Sequence, residues 1–139
     1  MRVVAKRAYL HQKLADLGLR LGHYEITTLI ARGGMAAVYE ARRADDQFQQ
    51  RVAVKIMDLR LSDPGLAAQF RAERQILAAL EHPSLTRLLD GGVTTLGEPY
   101  LVMEYVEGQP IDRYCDTGRL DVPARLRLFM EVCDGVAFA

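Results

Sequence analysis

Ile30-Ala31-Arg32-Gly33-Gly34-Met35-Ala36-Ala37-Val38-Tyr39 decides how this chain reads. Entering it, Tyr24, Ile26, Thr28 and Ile30 alternate with Glu25, Thr27 and Leu29, the period of two that a pleated strand imposes. Leaving it, Ala37-Val38-Tyr39-Glu40-Ala41 has the same strand character, so Gly33-Gly34 marks the tip of a β-hairpin. Small residues at such a tip let a ligand approach backbone N–H groups, the donors a phosphate needs. A glycine pair at a turn is more often plain structure, so its neighbours must carry the functional reading. A Walker-type phosphate loop is excluded because Gly-Lys-Ser/Thr does not occur and because this turn leads into a strand rather than a helix. A dinucleotide-binding turn fails for the same reason.

Working outward, Asp45-Asp46-Gln47 is a polar turn and Arg51-Val52-Ala53-Val54-Lys55-Ile56-Met57 a third strand rich in β-branched residues. Ser62-Asp63-Pro64 starts a helix, with Asp63 as N-cap and Pro64 at the first helical position. Its apolar face runs through Leu66, Phe70, Leu77 and Leu80, and it ends before Pro83. Leu85 to Leu89 and Pro99 to Tyr105 read as two further strands, around a turn at Asp90-Gly91-Gly92 and a loop at Leu96-Gly97-Glu98. After Gly108 the pattern is helical, short from Ile111 to Cys115 and long from Val122 to Ala139. At the other end, Leu10, Leu14, Leu17 and Leu21 form one helical stripe closed by Gly22. The expected fold is α+β, a five-stranded antiparallel sheet with one packed helix, followed by the start of a helical region. The expected division is a helical extension over 1–22, a sheet lobe over 23–106 and the first helices of an incomplete second lobe over 107–139.

With 139 residues, 50 % hydrophobic and 26 % charged, the chain has the balance of a soluble globular protein. Eighteen basic against eighteen acidic residues leave no net charge, which argues against a nucleic-acid partner gripped by a basic face. Cys115 and Cys133 have no CxxC spacing and read as packing residues. No apolar run approaches the ~18 residues of a membrane span, and the N-terminal apolar run is too short for a secretory signal, so a cytoplasmic location is expected.

Lys55 stands inside an apolar strand, where a lysine faces either solvent or a dedicated anion. Glu73 falls on or beside the helix stripe of Phe70 and Leu77, where a carboxylate needs a partner. A Lys55–Glu73 ion pair would aim the ammonium at phosphate oxygens.

In order and spacing, Gly33 to Tyr39, Val52 to Lys55, Glu73, His82-Pro83 and Met103-Glu104-Tyr105 resemble the nucleotide-binding lobe of a bacterial-type serine/threonine protein kinase, over residues 22–139. Each motif alone is weak; five in register are specific. The resemblance implies ATP as cofactor, with the backbone of Gly33 and Gly34 at the phosphates, Ile30, Val38 and Ala53 over the adenine, and Lys55 on the α- and β-phosphates oriented by Glu73. It implies Met103 at the back of the pocket, the backbone of Glu104 and Val106 on the adenine edge, and Asp112 at the ribose. Leu77 and Leu88 match the family's hydrophobic spine, and His82-Pro83 fixes a turn.

Two departures accompany the resemblance. The family's first and third loop glycines are Ala31 and Ala36 here, so either those positions have ordinary φ or the loop closes less freely. No His-Arg-Asp or Asp-Phe-Gly occurs, so the catalytic base and the Mg²⁺ ligands lie outside this chain. The expectation is therefore the ATP-binding portion of an enzyme that moves the ATP γ-phosphoryl group to protein serine or threonine. By itself the portion should be inactive, with self-association through the incomplete last helix. A non-catalytic kinase-like regulatory module and a small-molecule phosphotransferase of related fold are the rivals.

Overall fold

The computed structural model describes residues 18–34, 36–45, 49–57 and 64–139, without the side chains of Pro64, Leu66, Ala67 and Glu73. The elements in chain order are β1 (Arg20–Leu21), β2 (Tyr24–Arg32), β3 (Ala36–Arg43), β4 (Arg51–Met57), α1 (Pro64–Ala79), β5 (Leu88–Val93), β6 (Pro99–Glu104), α2 (Ile111–Thr117) and α3 (Val122–Phe138). The strands form one antiparallel sheet of six, in the order β1-β2-β3-β4-β6-β5.

Alternation in the central strands builds the core. Ala37, Tyr39 and Ala41 of β3, Val52, Val54 and Ile56 of β4, and Tyr100 and Val102 of β6 all point to one face and are buried there with Ile26 and Tyr24. Each buried valine or isoleucine contributes roughly 1.5–3 kcal/mol by leaving water. Burial, the largest influence, raises the phenol pKa of Tyr24, Tyr39 and Tyr100 above the ordinary value.

The sixth strand is β1, where the sequence pattern suggested the end of a helix over 8–21. Residues 8–17 lie outside the described residues; Arg20 and Leu21 pair with Glu25 and Tyr24. Gly22 has φ 58°, the left-handed backbone of a tight hairpin tip, so it turns a strand instead of capping a helix. The strand expected at Leu85 to Leu89 begins only at Leu88 and runs on through Asp90-Gly91-Gly92, which is therefore strand and not turn. The tertiary reason is Tyr100 on the neighbouring β6. A Cβ on Gly92 would stand 2.7 Å from the Tyr100 hydroxyl, so only glycine admits that ring. The expected loop before Pro99 forms around Thr94, whose carbonyl accepts from Gly97 N at 2.9 Å and whose Oγ1 accepts from Glu98 N at 3.2 Å.

Helix α1 rests on β5, where Arg74 Nη1 donates to the Gly91 carbonyl at 2.7 Å. Asp121 caps α3 by accepting from Ala124 N at 2.9 Å, with a proline in the first turn. The far end of α3 meets the turn after α1: Gly135 approaches Ser84, and the His82 and Phe138 rings lie 5.1 Å apart. Leu126, Phe129, Met130 and Val136 of α3 remain exposed. Cys115 is buried as expected of a packing residue, whereas Cys133 is exposed on α3, where none of the described residues covers it.

Candidate functional site

The register of β3, β4 and β6 assembles the candidate site on the sheet face opposite the core. Val38 pairs with Lys55 and Lys55 with Leu101; Glu40 pairs with Ala53 and Ala53 with Met103. Directly paired residues share a face and alternate residues return to it. Val38, Ala53, Lys55 and Met103 are therefore brought together, all partly exposed, as a small apolar surface with a single ammonium on it. Lys55 is flanked by Val54 and Ile56, which turn into the core and fix its strand.

Ile30 departs from the simple alternation. Two register shifts interrupt the pairing of β2 with β3, between Ile26 and Thr28 and between Leu29 and Ala31, so Ile30 is the extra residue of a bulge and is 47 % exposed. Beyond it, Gly33 N donates to the Ala36 carbonyl at 2.8 Å and closes the tip, while a Cβ on Gly34 would meet nothing within 4 Å. Neither glycine has positive φ, and among the described residues Arg119 is the sole non-glycine that does. Ala31 and Ala36 thus have ordinary backbone, which decides between the two alternatives left open for their φ.

At the other side of the face, Met103 and Glu104 end β6. Glu104 N donates to the Arg87 carbonyl at 3.1 Å, and Glu104 Oε1 accepts from Arg87 N at 3.1 Å. Its N–H is occupied, so the carbonyl is the group Glu104 can offer a ligand. Val106 follows in a segment that is neither helix nor strand and is 64 % exposed. Asp112 lies in the first turn of α2, exposed, with Oδ1 accepting from Arg113 N at 2.8 Å. Glu73 belongs to α1, the helix anchored by its neighbour Arg74. The Lys55–Glu73 pair lies outside the described residues. Leu77 and Leu88 line a common apolar cavity of about 190 Å³ with Leu80, Leu85, Leu101 and Met103, which places the two residues matched to a spine in one cluster behind the site.

Sequence reasoning passed over the charged group beside the apolar face. Arg51 Nε meets Glu40 Oε1 at 3.0 Å, its Nη1 meets Glu107 Oε1 at 2.8 Å, and its Cζ stands 3.9 Å from the centre of the Tyr105 ring. The period of two could have found it, since Arg51 stands two residues before Ala53 and so on its face. A larger cleft of about 780 Å³, lined by residues such as Arg20, Thr28, Arg42 and Gln50, contains none of the predicted site residues. Its lining is polar and apolar in nearly equal measure and includes Glu40 and Arg51, and the sheet register is the better guide to the chemistry. No group of three or more His, Cys, Asp or Glu residues able to hold a metal ion occurs among the described residues. Among the described residues no helix is long and apolar enough to cross a membrane.

Known proteins resemble this chain in sequence and in fold. A sequence profile of protein tyrosine and serine/threonine kinases matches residues 24–139. Probable serine/threonine-protein kinase SCO3848 of Streptomyces coelicolor is 39 % identical over 108 residues, which is 75 % of this chain and 16 % of that protein. Serine/threonine-protein kinase PknA of Mycobacterium tuberculosis is 41 % identical over 107 residues, 73 % of this chain and 24 % of the relative. The chain thus spans a quarter or less of the length of these two curated relatives. The crystal structure of the Mycobacterium tuberculosis PknI kinase domain superposes with a TM-score of 0.68 at 21 % identity, covering 87 % of this chain and 49 % of that domain, which shows a shared fold. By the profile match over residues 24–139, the chain belongs to the protein tyrosine and serine/threonine kinase family.

Proposed function

We propose that this chain is the adenine-nucleotide-binding portion of a serine/threonine protein kinase. The observation that carries the reading is the paired register Val38–Lys55 and Ala53–Met103, which puts an apolar platform and one lysine on the same exposed face. An adenine ring would lie on Val38, Ala53 and Met103, with Ile30 at its rim. The Glu104 carbonyl and the Val106 backbone would meet its polar edge, and Asp112 would reach toward the ribose. Lys55 would hold the α- and β-phosphate oxygens, drawn into position by Glu73, with the backbone of Gly33 and Gly34 over the phosphates. Bound ATP supplies the γ-phosphoryl group; the residues here hold and orient the nucleotide, and transfer to a protein hydroxyl belongs to the whole enzyme. The presence of Lys55 and Glu73 at the motif positions supports an enzymatic origin over a purely regulatory module, and the Met103-Glu104-Tyr105 run favours the protein-kinase branch over a small-molecule phosphotransferase.

Titration calorimetry with ATP tests the reading. Because the residues proposed here line one wall of such a pocket, Kd is expected in the millimolar range, about −4 kcal/mol. Lys55→Ala should weaken ATP binding while Arg127→Ala, an exposed cation on α3, leaves it unchanged. Equal losses from both would reduce the interaction to unspecific charge attraction.

A further inference from the structure

The segment 105–109 joins β6 to the N-cap of α2 and is neither strand nor helix, yet it must present the Val106 backbone at a fixed height over the platform. One side chain reaches across to it. Arg51 opens β4, two residues before Ala53 and on the same face, and its guanidinium touches three groups at once: Glu40, the β3 residue opposite Ala53, and Tyr105 and Glu107 on either side of Val106. We propose that Arg51 is a positioning residue of the nucleotide site, clasping the 105–107 segment to β3 so that the Glu104 and Val106 backbone is held beside the Val38–Ala53 platform. The inference rests on the nucleotide reading above and adds a residue to it.

Chemistry explains why arginine stands here. A planar guanidinium can stack on the Tyr105 ring while two of its edges donate to different carboxylates; a lysine ammonium can do one or the other. Arg51 and Glu107 are exposed, 47 % and 80 % by side chain, so each pair alone contributes little. One side chain serving three contacts is ordered only once, and two of the contacts fall on a segment that is neither strand nor helix. The effect is therefore expected in ligand geometry more than in global stability.

Adenosine, which has no phosphates for Lys55, is the discriminating probe. The 139-residue chain and its Arg51→Ala, Arg51→Lys and Glu107→Gln variants are titrated with adenosine and with ATP while backbone amide resonances are followed. Both Arg51 variants should weaken adenosine roughly threefold and ATP by the same factor, and should shift the amides of 104–107 before any ligand is added. Glu107→Gln, a mild change at the surface, should weaken adenosine less and have no further effect in the Arg51→Ala background. The Arg51 Nε–H proton should be displaced upfield by the Tyr105 ring and return in Tyr105→Leu. Unchanged adenosine affinity in both Arg51 variants, with the unaltered chain still binding, overturns the proposal alone. A chain that binds neither adenosine nor ATP overturns the nucleotide reading and this inference with it.

Discussion

Removing the guanidinium of Arg74 should loosen α1 from the sheet while leaving the sheet itself intact. The helix has one charged hydrogen bond to the strand beside it, Arg74 Nη1 to the Gly91 carbonyl at 2.7 Å, and its apolar Ile76 and Leu77 are 63 % and 41 % exposed. A hydrogen bond to a charged donor contributes about 1.5–3 kcal/mol when fully sheltered. Arg74 is only partly buried and β5 is an edge strand, so water can replace the lost donor and the expected cost falls to about 1 kcal/mol. In Arg74→Met, which keeps the apolar stem, amide exchange across α1 should speed roughly fivefold while β4 and β6 amides are unchanged, because the helix opens as a local unit. Arg71→Met, on the same helix at an exposed position, is the control. Since α1 also carries Glu73, ATP binding should weaken in Arg74→Met and not in Arg71→Met. Identical α1 exchange in the two variants would refute the claim that Arg74 anchors the helix.

Gly92→Ala should cost about 1–3 kcal/mol by overpacking, because its Cβ would lie 2.7 Å from the Tyr100 hydroxyl and 2.8 Å from the ring carbon that bears it; urea unfolding measures it, and an unchanged midpoint would contradict the packing. Stability should be flat at neutral pH and fall as pH rises through and beyond about 10, since burial raises the folded pKa of Tyr24, Tyr39 and Tyr100 and the unfolded chain ionises first; a chain equally stable at pH 11 and pH 8 would count against those burials. The exposed stripe of Leu126, Phe129, Met130 and Val136 should drive concentration-dependent association, read by sedimentation and abolished by Leu126→Glu with Phe129→Glu; a strictly monomeric chain would go against it.

The strands at the centre of the sheet were legible because burial on one face forces alternation, and Val52, Val54 and Ile56 state that alternation plainly. The site face followed, since Val38, Ala53 and Lys55 are the remaining positions of the same strands. What escaped the sequence depended on distant partners. Gly91-Gly92 looks like a turn until Tyr100 is laid across it, and a strand of two residues such as β1 has no periodicity to detect. The bulges in β2 come from pairing with β3, so the simple alternation of Tyr24, Ile26, Thr28 and Ile30 could not reveal that Ile30 is an extra residue. Cys133 read as core because its helix is apolar, but burial needs a covering surface as well as an apolar face. The period of two puts Arg51 on the site face, but a charged residue at a strand end is ordinarily solvated, and only the fold brings Glu40, Tyr105 and Glu107 around it.

The central claim, that the face built by β3, β4 and β6 is an adenine-nucleotide site, is tested most directly by mapping amide shifts while ATP is added to the unaltered chain. The account predicts saturable shifts at Val38, Ala53, Lys55, Glu104 and Val106, with those at Lys55 absent when adenosine replaces ATP. Shifts confined to the cleft of Thr28, Arg42 and Gln50, or none that saturate, would contradict it.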